Sequence, residues 1–447
     1  MTESPSSQDI STKLERIANQ AKEIQGASLK TLAHYIDVNW LREAYRRTRK
    51  DGARGVDGQS AGMYAEHLEA NLQSLLDRAK SGRYRTPPVR RVHIPKGDGT
   101  ETRPIGIPTF EDKVLQRAVA MVIGEVYEQE FHDFSYGFRP GRSPHQALRA
   151  VQGAAWRLNG GWIVEVDIRK FFDTVDHIHL REILGRRIGD RVLLRLIGKW
   201  LNAGVVEGLV LSHSDEGTPQ GGVISPLLAN IYLHEVLDEW FVRDVKPALA
   251  GHAELFRFAD DAVAIFTRKQ DAERFLAVLP KRFGKYGLTL HPDKTRLVPF
   301  RQPDRVGDDD EGPGTFNFLG FTHYWGLAQK PLPTGEPARK RWTAKQKTAK
   351  DRLSRALRRF SEWCRRHRHD PLKTQHLMLV KKLKGHYGYY GVTGNFRALA
   401  KVLYAVRRIW RKALESRSQR RLPWAKMARI LKRFPLPNPR IVHKYGT

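Results

Sequence analysis

Two short apolar runs that each deliver aspartate constrain the fold of this chain more than any other feature. The first reads GWIVEVD and ends at Asp167. Side chains alternate between the two faces of a strand, so Trp162, Val164 and Val166 are expected to share one buried face. Glu165 and Asp167 then belong to the other face, with Asp167 at the strand end.

The second run reads LFRFADDAVAIF and begins at Leu255. It is predicted to form a strand, a turn at Asp260 and Asp261, and a second strand. An Asp-Asp pair alone is weak evidence, because solvated turns are common. Two apolar strands that bring carboxylates to one sheet edge are stronger evidence, because phosphoryl transfer by two metal ions needs acidic oxygens around the attacking and leaving atoms. Mg²⁺ suits such an all-oxygen site.

Positive charge is concentrated at one end of the chain. The 447 residues carry a formal net charge of +30. Residues 339–447 contain 32 Lys and Arg against 4 Asp and Glu, whereas residues 1–338 contain 46 against 44. A solubilising surface would intersperse both signs, so the polycation points to nucleic acid. Aromatic residues suited to base stacking interleave with the cations, namely Trp342, Phe360, Trp363, Tyr387, Tyr389, Tyr390, Trp410 and Trp424.

Composition also excludes several classes of protein. The single cysteine, Cys364, rules out an intrachain disulfide and a zinc site built from cysteine pairs. No run approaches the ~18 apolar residues of a membrane span, and the polar start lacks the plan of a signal peptide. We therefore expect a cytoplasmic protein with no membrane partner. The length suggests roughly three domains.

The chain changes character along its length. Residues 1–80 are predicted to be helical and loop-rich, and residues 83–325 to alternate short strands with helices. The acidic segment 303–314 is typical of an exposed loop. Segment 434–439, FPLPNP, predicts an extended tail, because proline cannot continue a helix or a central strand.

Two amphipathic helices are predicted in the basic part from apolar residues at helical spacing. Their apolar positions are Leu353, Leu357, Phe360 and Cys364 in the first, and Leu399, Val402, Leu403, Val406, Ile409 and Trp410 in the second. The last quarter of the chain is therefore expected to be a small basic helical bundle.

Five blocks of this sequence resemble those of reverse transcriptases and follow the family's order. They are 94–96 and 103–108 (fingers), 166–177 (first catalytic block), 217–230 (beneath template and incoming nucleotide), 258–261 (double aspartate) and 318–321 (primer grip). The resemblance covers about residues 45–435. The ordered set is far more specific than any one block.

Within that family, two segments resemble group II intron-encoded enzymes and their maturase region. They read FSYGFRPGRS at 134–143 and KGHYGYY at 384–390. One departure from the family pattern is Phe258, where the family usually has Tyr. Polymerase activity is still expected, because the carboxylates are intact. Fidelity, nucleotide preference and membership of the mobile-intron branch stay open. Many relatives continue into an endonuclease with His and Cys ligands, and no such domain is expected here.

The resemblance assigns a role to each matching position. Asp167, Asp260 and Asp261 are the expected catalytic and metal-binding carboxylates, joined by the backbone carbonyl of Ile168. Expected nucleotide contacts are Lys96, Arg103, Phe172, Gln220 and Lys294. Expected nucleic-acid contacts are Gly221, Leu319, Gly320, Arg358, Arg365, Lys384, Tyr387 and Arg411.

Ordinary structural roles are the alternatives at several of these positions. Lys96, Arg103 and Lys294 would clamp the triphosphate, or else be surface cations. Phe172 would exclude a ribose 2′-hydroxyl, or else be a core aromatic like the adjacent Phe171.

The implied fold is α+β: a right-hand polymerase whose fingers and palm carry an antiparallel sheet, followed by an α-helical thumb or maturase domain. The expected domains are an N-terminal helical extension (1–44), fingers and palm (45–335), the helical domain (336–415) and a basic C-terminal tail (416–447).

The implied function is RNA-directed DNA polymerisation with two Mg²⁺ ions, for which Mn²⁺ can substitute. Expected partners are structured RNA, by resemblance group II intron RNA, a DNA primer or target, and deoxynucleoside triphosphates; the oligomeric state is open. Three alternatives remain: a related enzyme serving DNA repair or phage defence, a palm polymerase that copies RNA into RNA, and a catalytically silent splicing factor.

Overall fold

The computed structural model describes residues 5–96, 101–207, 210–212, 221–303, 313–330, 339–418 and 420–445. The helices are α1 (Pro5–Glu23), α2 (Val38–Arg47), α3 (Ala61–Ala65), α4 (Leu68–Ser81), α5 (Phe110–Glu128), α6 (Pro144–Arg157), α7 (Phe171–Thr174), α8 (His177–Arg187), α9 (Arg191–Leu201), α10 (Ser225–Leu233), α11 (Lys269–Gly284), α12 (Lys350–Arg366), α13 (Leu372–Tyr390), α14 (Phe396–Ser418) and α15 (Trp424–Arg433). The strands are β1 (Val89–Lys96), β2 (Glu101–Ile107), β3 (Trp162–Val166), β4 (Val205–Glu207), β5 (Val210–Ser212), β6 (Ala253–Phe258), β7 (Asp261–Phe266), β8 (Arg296–Pro299), β9 (Phe316–Phe318), β10 (Phe321–Lys330) and β11 (Arg339–Thr348).

The N-terminal helices pack around α5. Asp37 caps α2 by accepting a hydrogen bond from the Trp40 N–H at 2.8 Å. Helix α5 is apolar on most of its faces and is buried along most of its length, as expected for a helix in the middle of a core. The predicted helical character of the first 80 residues is confirmed.

A first sheet follows these helices, with strand order β2-β1-β4-β5. Strands β1 and β2 form an antiparallel pair whose register runs from Arg90 opposite Ile107 to Lys96 opposite Glu101. Strand β4 runs parallel to β1 and forms a short antiparallel pair with β5.

The central sheet has strand order β6-β7-β3-β8, and each neighbouring pair is antiparallel. Val164 and Val166 of β3 pack into the main apolar core, which confirms the predicted buried face. Ile163 packs on the opposite face against a second apolar cluster that includes α6 residues. The sheet is therefore covered on both faces, and its functional groups are confined to the strand ends.

A third sheet, of order β11-β10-β9, corrects the predicted start of the helical domain. Residues 339–348 form a strand rather than a helix, paired along its whole length with β10. Ala344, Gln346 and Thr348 are buried while Lys347 is exposed, which is the alternation of a strand with one covered face.

Helices α12 to α15 form the helical part and have their own apolar core. Phe360 and Cys364 of α12 are buried, as are Leu399, Val406 and Trp410 of α14. Both predicted amphipathic helices are thereby confirmed.

The C-terminal segment is not a free tail. It contains α15, and its extended end returns to α13 and α6. His443 forms a bridge with Val392, and its ring stacks on His145 at a centroid distance of 3.5 Å. Tyr445 is buried, with its hydroxyl 3.1 Å from Nδ1 of His145. Residues 434–439 form neither helix nor strand, as their prolines predict. Most of the predicted loop 303–314 lies outside the described residues.

Among the described helices, none is both long and apolar enough to span a membrane.

Candidate active site

The central sheet brings the three predicted carboxylates to one edge. Val166, the last residue of β3, pairs with Ala262 of β7. Asp167 and Asp261 therefore leave adjacent strands at the same level. Asp260 lies at the tip of the β6–β7 turn, where Ala259 adopts a left-handed backbone conformation with φ of 56°.

Burial and mutual repulsion raise the pKa values of Asp260 and Asp261. Burial, followed by the charges of Asp260 and Asp167, raises the pKa of Asp261 to about 7. Burial and the charge of Asp167 also raise the pKa of Asp260, against the opposing effect of Arg103. The Asp261 side chain nevertheless faces water. The acids thus lie in a concave site that is open to water, where their mutual repulsion favours a bound cation.

A cavity of about 410 Å³ opens beside them, lined by residues from β3, β7, the β9–β10 turn and α12. Lys294 places Nζ 3.5 Å from Oδ2 of Asp167. Arg352, in the first turn of α12, lowers the pKa of Asp261 and lines the same cavity. The cavity therefore places carboxylates and cations side by side, as a site for a metal–phosphate complex requires.

Backbone hydrogen bonds fix the end of β3. The carbonyl of Asp167 accepts from the His291 N–H at 2.8 Å, and the Arg169 N–H donates to the Thr289 carbonyl at 2.8 Å. Ile168 and Leu290 therefore form a non-hydrogen-bonded pair. In such a pair the Ile168 carbonyl points away from the segment that contains Leu290. The Ile168 carbonyl therefore faces the β7 side of β3, where the Asp260–Asp261 turn lies.

A buried ion pair beneath the turn was missed by the sequence analysis. Arg257 and Asp238 are both fully buried, with Nε of the arginine donating to Oδ1 of the aspartate at 2.8 Å. Nη1 of Arg257 also donates to the Ala259 carbonyl and to Oδ1 of Asn230, each at 3.0 Å. Burial alone would raise the pKa of Asp238, but the Arg257 charge lowers it overall. The pair therefore anchors the residue that precedes Asp260.

Gly137 completes the support of this turn. A Cβ atom on Gly137 would lie 2.2 Å from the Ala259 nitrogen, so the two backbones touch. The Gly137 carbonyl accepts a hydrogen bond from the Asn230 side chain. We name Gly137, Asn230, Asp238 and Arg257 the turn support.

Comparison with known families decides the identity of this arrangement. The family described as "Reverse transcriptase (RNA-dependent DNA polymerase)" matches residues 94–323, which contain the three carboxylates and the turn support. The chain belongs to the reverse transcriptase family.

Individual relatives of this reverse transcriptase agree. The chain is 44% identical over 298 residues to Protein YkfC of Escherichia coli K12, covering 58% of this chain and 76% of that protein. It is 40% identical over 240 residues to the group II intron-encoded protein LtrA of Lactococcus lactis, covering 52% of this chain but only 38% of LtrA. It is 26% identical over 231 residues to nuclear intron maturase 2 of Arabidopsis thaliana, covering 43% of this chain and 30% of that protein. The predicted likeness to group II intron proteins is confirmed.

Reverse transcriptases use divalent metal ions, nucleotides and nucleic acid. The donor set of this reverse transcriptase fits hard divalent cations, because it consists of carboxylate and carbonyl oxygens.

The predicted nucleotide contacts are partly brought to the site. Arg103 is close enough to affect the pKa of Asp260. Phe172 is half-buried at the start of α7, whereas Phe171 is 3% exposed and belongs to the core. Lys96 ends β1, but its side chain lies outside the described residues, as does all of Gln220.

The predicted contacts near the primer and template occupy tight turns. Leu319 and Gly320 join β9 to β10 and line the cavity, with φ of 49° and 80°. The Leu319 carbonyl accepts from the Tyr389 hydroxyl at 2.8 Å. Gly221 lies against β2, where a Cβ atom would meet the Gly106 carbonyl oxygen at 2.6 Å.

The contacts predicted in the helical part divide into two groups. Arg358, Arg365 and Lys384 are exposed. Tyr387 is only 1% exposed and donates its hydroxyl to the Pro437 carbonyl at 3.2 Å, so it is a core residue and not a stacking surface. Arg411 donates to Glu415 and to the Leu422 carbonyl and covers the Trp424 ring, which gives it a structural role.

Proposed function

We propose that this chain is an RNA-directed DNA polymerase of the group II intron type that copies a bound structured RNA into DNA. The observation that carries the proposal is the meeting of Asp167 and Asp261 at a cavity that also presents Lys294 and Arg352. Asp260, in the adjacent turn, is electrostatically coupled to both acids. In this assignment the first and central sheets are the fingers and palm of a right-hand polymerase, and helices α12 to α15 are the thumb or maturase domain.

The reaction is attack of a primer 3′-hydroxyl on the α-phosphate of a deoxynucleotide, with cleavage of the bond to pyrophosphate. Asp167, Asp260 and the Ile168 carbonyl would hold Mg²⁺, or Mn²⁺ in its place, with Asp261 more distant. The ions would supply charge stabilisation at the attacking and leaving oxygens. The protein fixes these ligands in place before the substrates arrive, through the strand ends and the turn support.

Cations around the cavity are assigned to the triphosphate. Arg103 provides a planar fork for two phosphate oxygens, and Lys294 a point charge next to Asp167. Lys96 and Gln220 are assigned to the same nucleotide by the order of the family's blocks. Phe172 is assigned to the sugar, because its ring is partly open to solvent while that of Phe171 is enclosed.

The helical part is assigned to RNA. Its exposed cations, among them Arg358, Arg365 and Lys384, neutralise phosphates. Gly221, Leu319 and Gly320 bring backbone close to template and primer, where a bulkier turn would not fit. Holding a folded RNA in this way would also favour its splicing, so a maturase activity is part of the proposal.

A primer-extension assay tests the catalytic assignment. An RNA template, an annealed DNA primer and deoxynucleotides are incubated with Mg²⁺ and either the parent or the Asp260→Asn variant. We expect a loss of more than about 100-fold, because even residues that only orient a metal ligand cost 10–100-fold. The matched control is Asp293→Asn, which lines the same cavity but has a side chain 88% exposed.

Asp293→Asn should extend the primer at the parent rate. Equal incorporation by Asp260→Asn and the parent would refute the catalytic proposal. A parent without activity on any RNA-templated primer would favour the silent splicing factor instead.

A further inference from the structure

Three side chains outside the cavity meet in a group of metal-ligand type. Nε2 of His132 lies 2.8 Å from Oε1 of Glu239, and Nε2 of His234 lies 3.5 Å from the same oxygen. Among the residues that the structure describes, this is the one group of three His, Cys, Asp or Glu residues whose ligand atoms all lie within 4.8 Å of one another. Tetrahedral Zn²⁺ with bonds of about 2.0–2.1 Å holds its ligands about 3.3 Å apart. Small side-chain shifts would therefore close the group around one ion.

An unusual helix brings two of the ligands together. His234 and Glu239 are the first and last residues of a π-helical segment that continues α10. In an α-helix, residues five apart lie about 140° apart around the axis. Hydrogen bonding from residue i to i+5 reduces that angle, and π-helical turns are frequent at functional sites. The third ligand, His132, comes from the loop after α5.

Neighbouring groups orient these ligands. The His234 side chain is 9% exposed, and its Nδ1 atom is buried with no hydrogen-bond partner among the described residues. The nearest carboxylate is Asp238, with Oδ2 at 3.8 Å. A metal on Nε2 requires the proton on Nδ1, and a carboxylate behind it is the usual acceptor. Arg243 donates to Oε2 of Glu239 at 2.6 Å, which leaves Oε1 to face the histidines.

The chemistry of the donors selects the ion. Two imidazole nitrogens and one carboxylate oxygen suit Zn²⁺, whereas Mg²⁺ prefers oxygen ligands alone. The His132 side chain is 27% exposed, so water has access to a fourth position. A simple hydrogen-bonded pair of His132 and Glu239 would explain the shortest contact. It would not explain why the Nε2 atom of His234 converges on the same Glu239 oxygen.

We propose that His132, His234 and Glu239 bind one Zn²⁺ ion. The site lies behind the catalytic turn, since Asp238 faces His234 on one side and binds Arg257 on the other. Zinc at this position fixes the π-helical segment that carries Asp238. It is separate from the oxygen site of the polymerase and does not depend on the proposed function.

Zinc binding to the full-length chain tests the proposal. The protein is dialysed against micromolar Zn²⁺ in millimolar Mg²⁺, which occupies the aspartate site, and bound zinc is measured by mass spectrometry. One zinc per chain is expected for the parent and none for His132→Gln. The matched control is His252→Gln, because His252 lies 3.5 Å from Glu254 but belongs to no three-ligand group among the described residues. That variant should retain its zinc.

Two further measurements keep the result decisive. Co²⁺ in place of Zn²⁺ should give the visible absorption of a four-coordinate site in the parent only. Zinc should raise the melting temperature of the parent and of His252→Gln but not that of His132→Gln. His132 is replaced rather than His234 because its side chain is partly exposed, so the substitution disturbs the fold less. A parent that binds no zinc, or a His132→Gln variant that binds as much as the parent, would overturn the proposal.

Discussion

Phe171 and Phe172 are neighbours in sequence with different surroundings, and this difference makes the sugar assignment testable. Phe171 is enclosed in the core, while Phe172 is only packed against its edge. Replacing Phe172 with Ala should therefore preserve the fold and let ribonucleotides be incorporated, because the ring no longer excludes the 2′-hydroxyl. Incorporation of ribonucleotides and deoxynucleotides is compared on one template. Unchanged discrimination would show that another side chain contacts the sugar.

Asp261 predicts a pH dependence of stability in the absence of divalent ions. Its folded pKa of about 7 lies above the usual 3.8, so the folded protein holds this proton more tightly than the unfolded chain. The stabilisation is complete below the usual pKa and is lost as the pH rises through about 7. In chelator, the free energy of unfolding of the parent relative to Asp261→Asn should fall over that range.

Millimolar Mg²⁺ should remove this difference, because the cation replaces the proton. The exposed Asp293→Asn variant provides the control and should follow the parent at every pH. Parallel curves for the parent and Asp261→Asn in chelator would contradict the coupling between the acids.

The buried pair of Asp238 and Arg257 predicts a large loss of stability. Asp238→Asn leaves the fully buried Arg257 without a countercharge, which should cost about 3–5 kcal/mol in the free energy of unfolding. Urea denaturation measures it. The control is Glu254→Gln, which breaks a pair with Arg157, 57% exposed, and should cost less than about 1 kcal/mol. A loss in Asp238→Asn as small as that in the control would mean that Arg257 finds another partner.

Among single residues, the three acids can be predicted from the sequence, but the buried ion pair that supports their turn cannot. Asp167, Asp260 and Asp261 stand out because each ends or interrupts an apolar run. Arg257 also lies within an apolar strand, and a charge in such a place requires a buried partner. The partner, Asp238, is 19 residues away on a helix, and nothing in local periodicity pairs the two.

At the scale of elements, the β6–β7 hairpin depends on close backbone contact with the segment around Gly137. Gly137→Ala would place a methyl group 2.2 Å from the Ala259 nitrogen, so the turn before Asp260 must shift. We expect primer extension to fall by about 100-fold, since a displacement of about 1 Å has that effect on catalysis. The control is Gly185→Ala on α8, which meets nothing within 4 Å and should keep full activity and gain stability.

Element types were predicted well where one periodicity dominates and poorly where two compete. Helices α12 and α14 follow from their apolar spacing. The many cations of strand β11 conceal the alternation of Trp342, Ala344 and Gln346, so the sequence places this segment in the helical domain. The π-helical segment after α10 has no sequence signature, since its apolar residues also fit an ordinary helix.

At the scale of the whole molecule, the uneven charge predicts salt-sensitive binding of RNA. Neutralising Arg359, Arg365 and Lys384 together with Gln should reduce the slope of log affinity against log salt by about 2–3, if each contacts one phosphate. Filter binding at several salt concentrations measures the slope. Arg16, Lys22 and Lys285, exposed cations of the nearly neutral part, form the control set and should leave the slope unchanged. Equal slopes for the parent and for the variant of Arg359, Arg365 and Lys384 would mean that the RNA does not contact these three cations.

The basic C-terminal part was correctly expected to be helical, but its aromatic residues were partly misjudged. Phe360, Tyr387 and Trp410 belong to the core of that part, whereas Trp424 is 47% exposed. Composition cannot separate these roles, because a small helical domain also needs aromatic volume to fill its interior.

The returning C-terminal segment has a mechanical consequence. Besides the chain connection from β11, the helical part is held by Tyr445, which packs beside His145 of α6, and by Tyr389, which donates to the Leu319 carbonyl in the β9–β10 turn. Swinging the helical part away from the cavity therefore requires that Tyr445 detach from α6 and that the Tyr389–Leu319 hydrogen bond break.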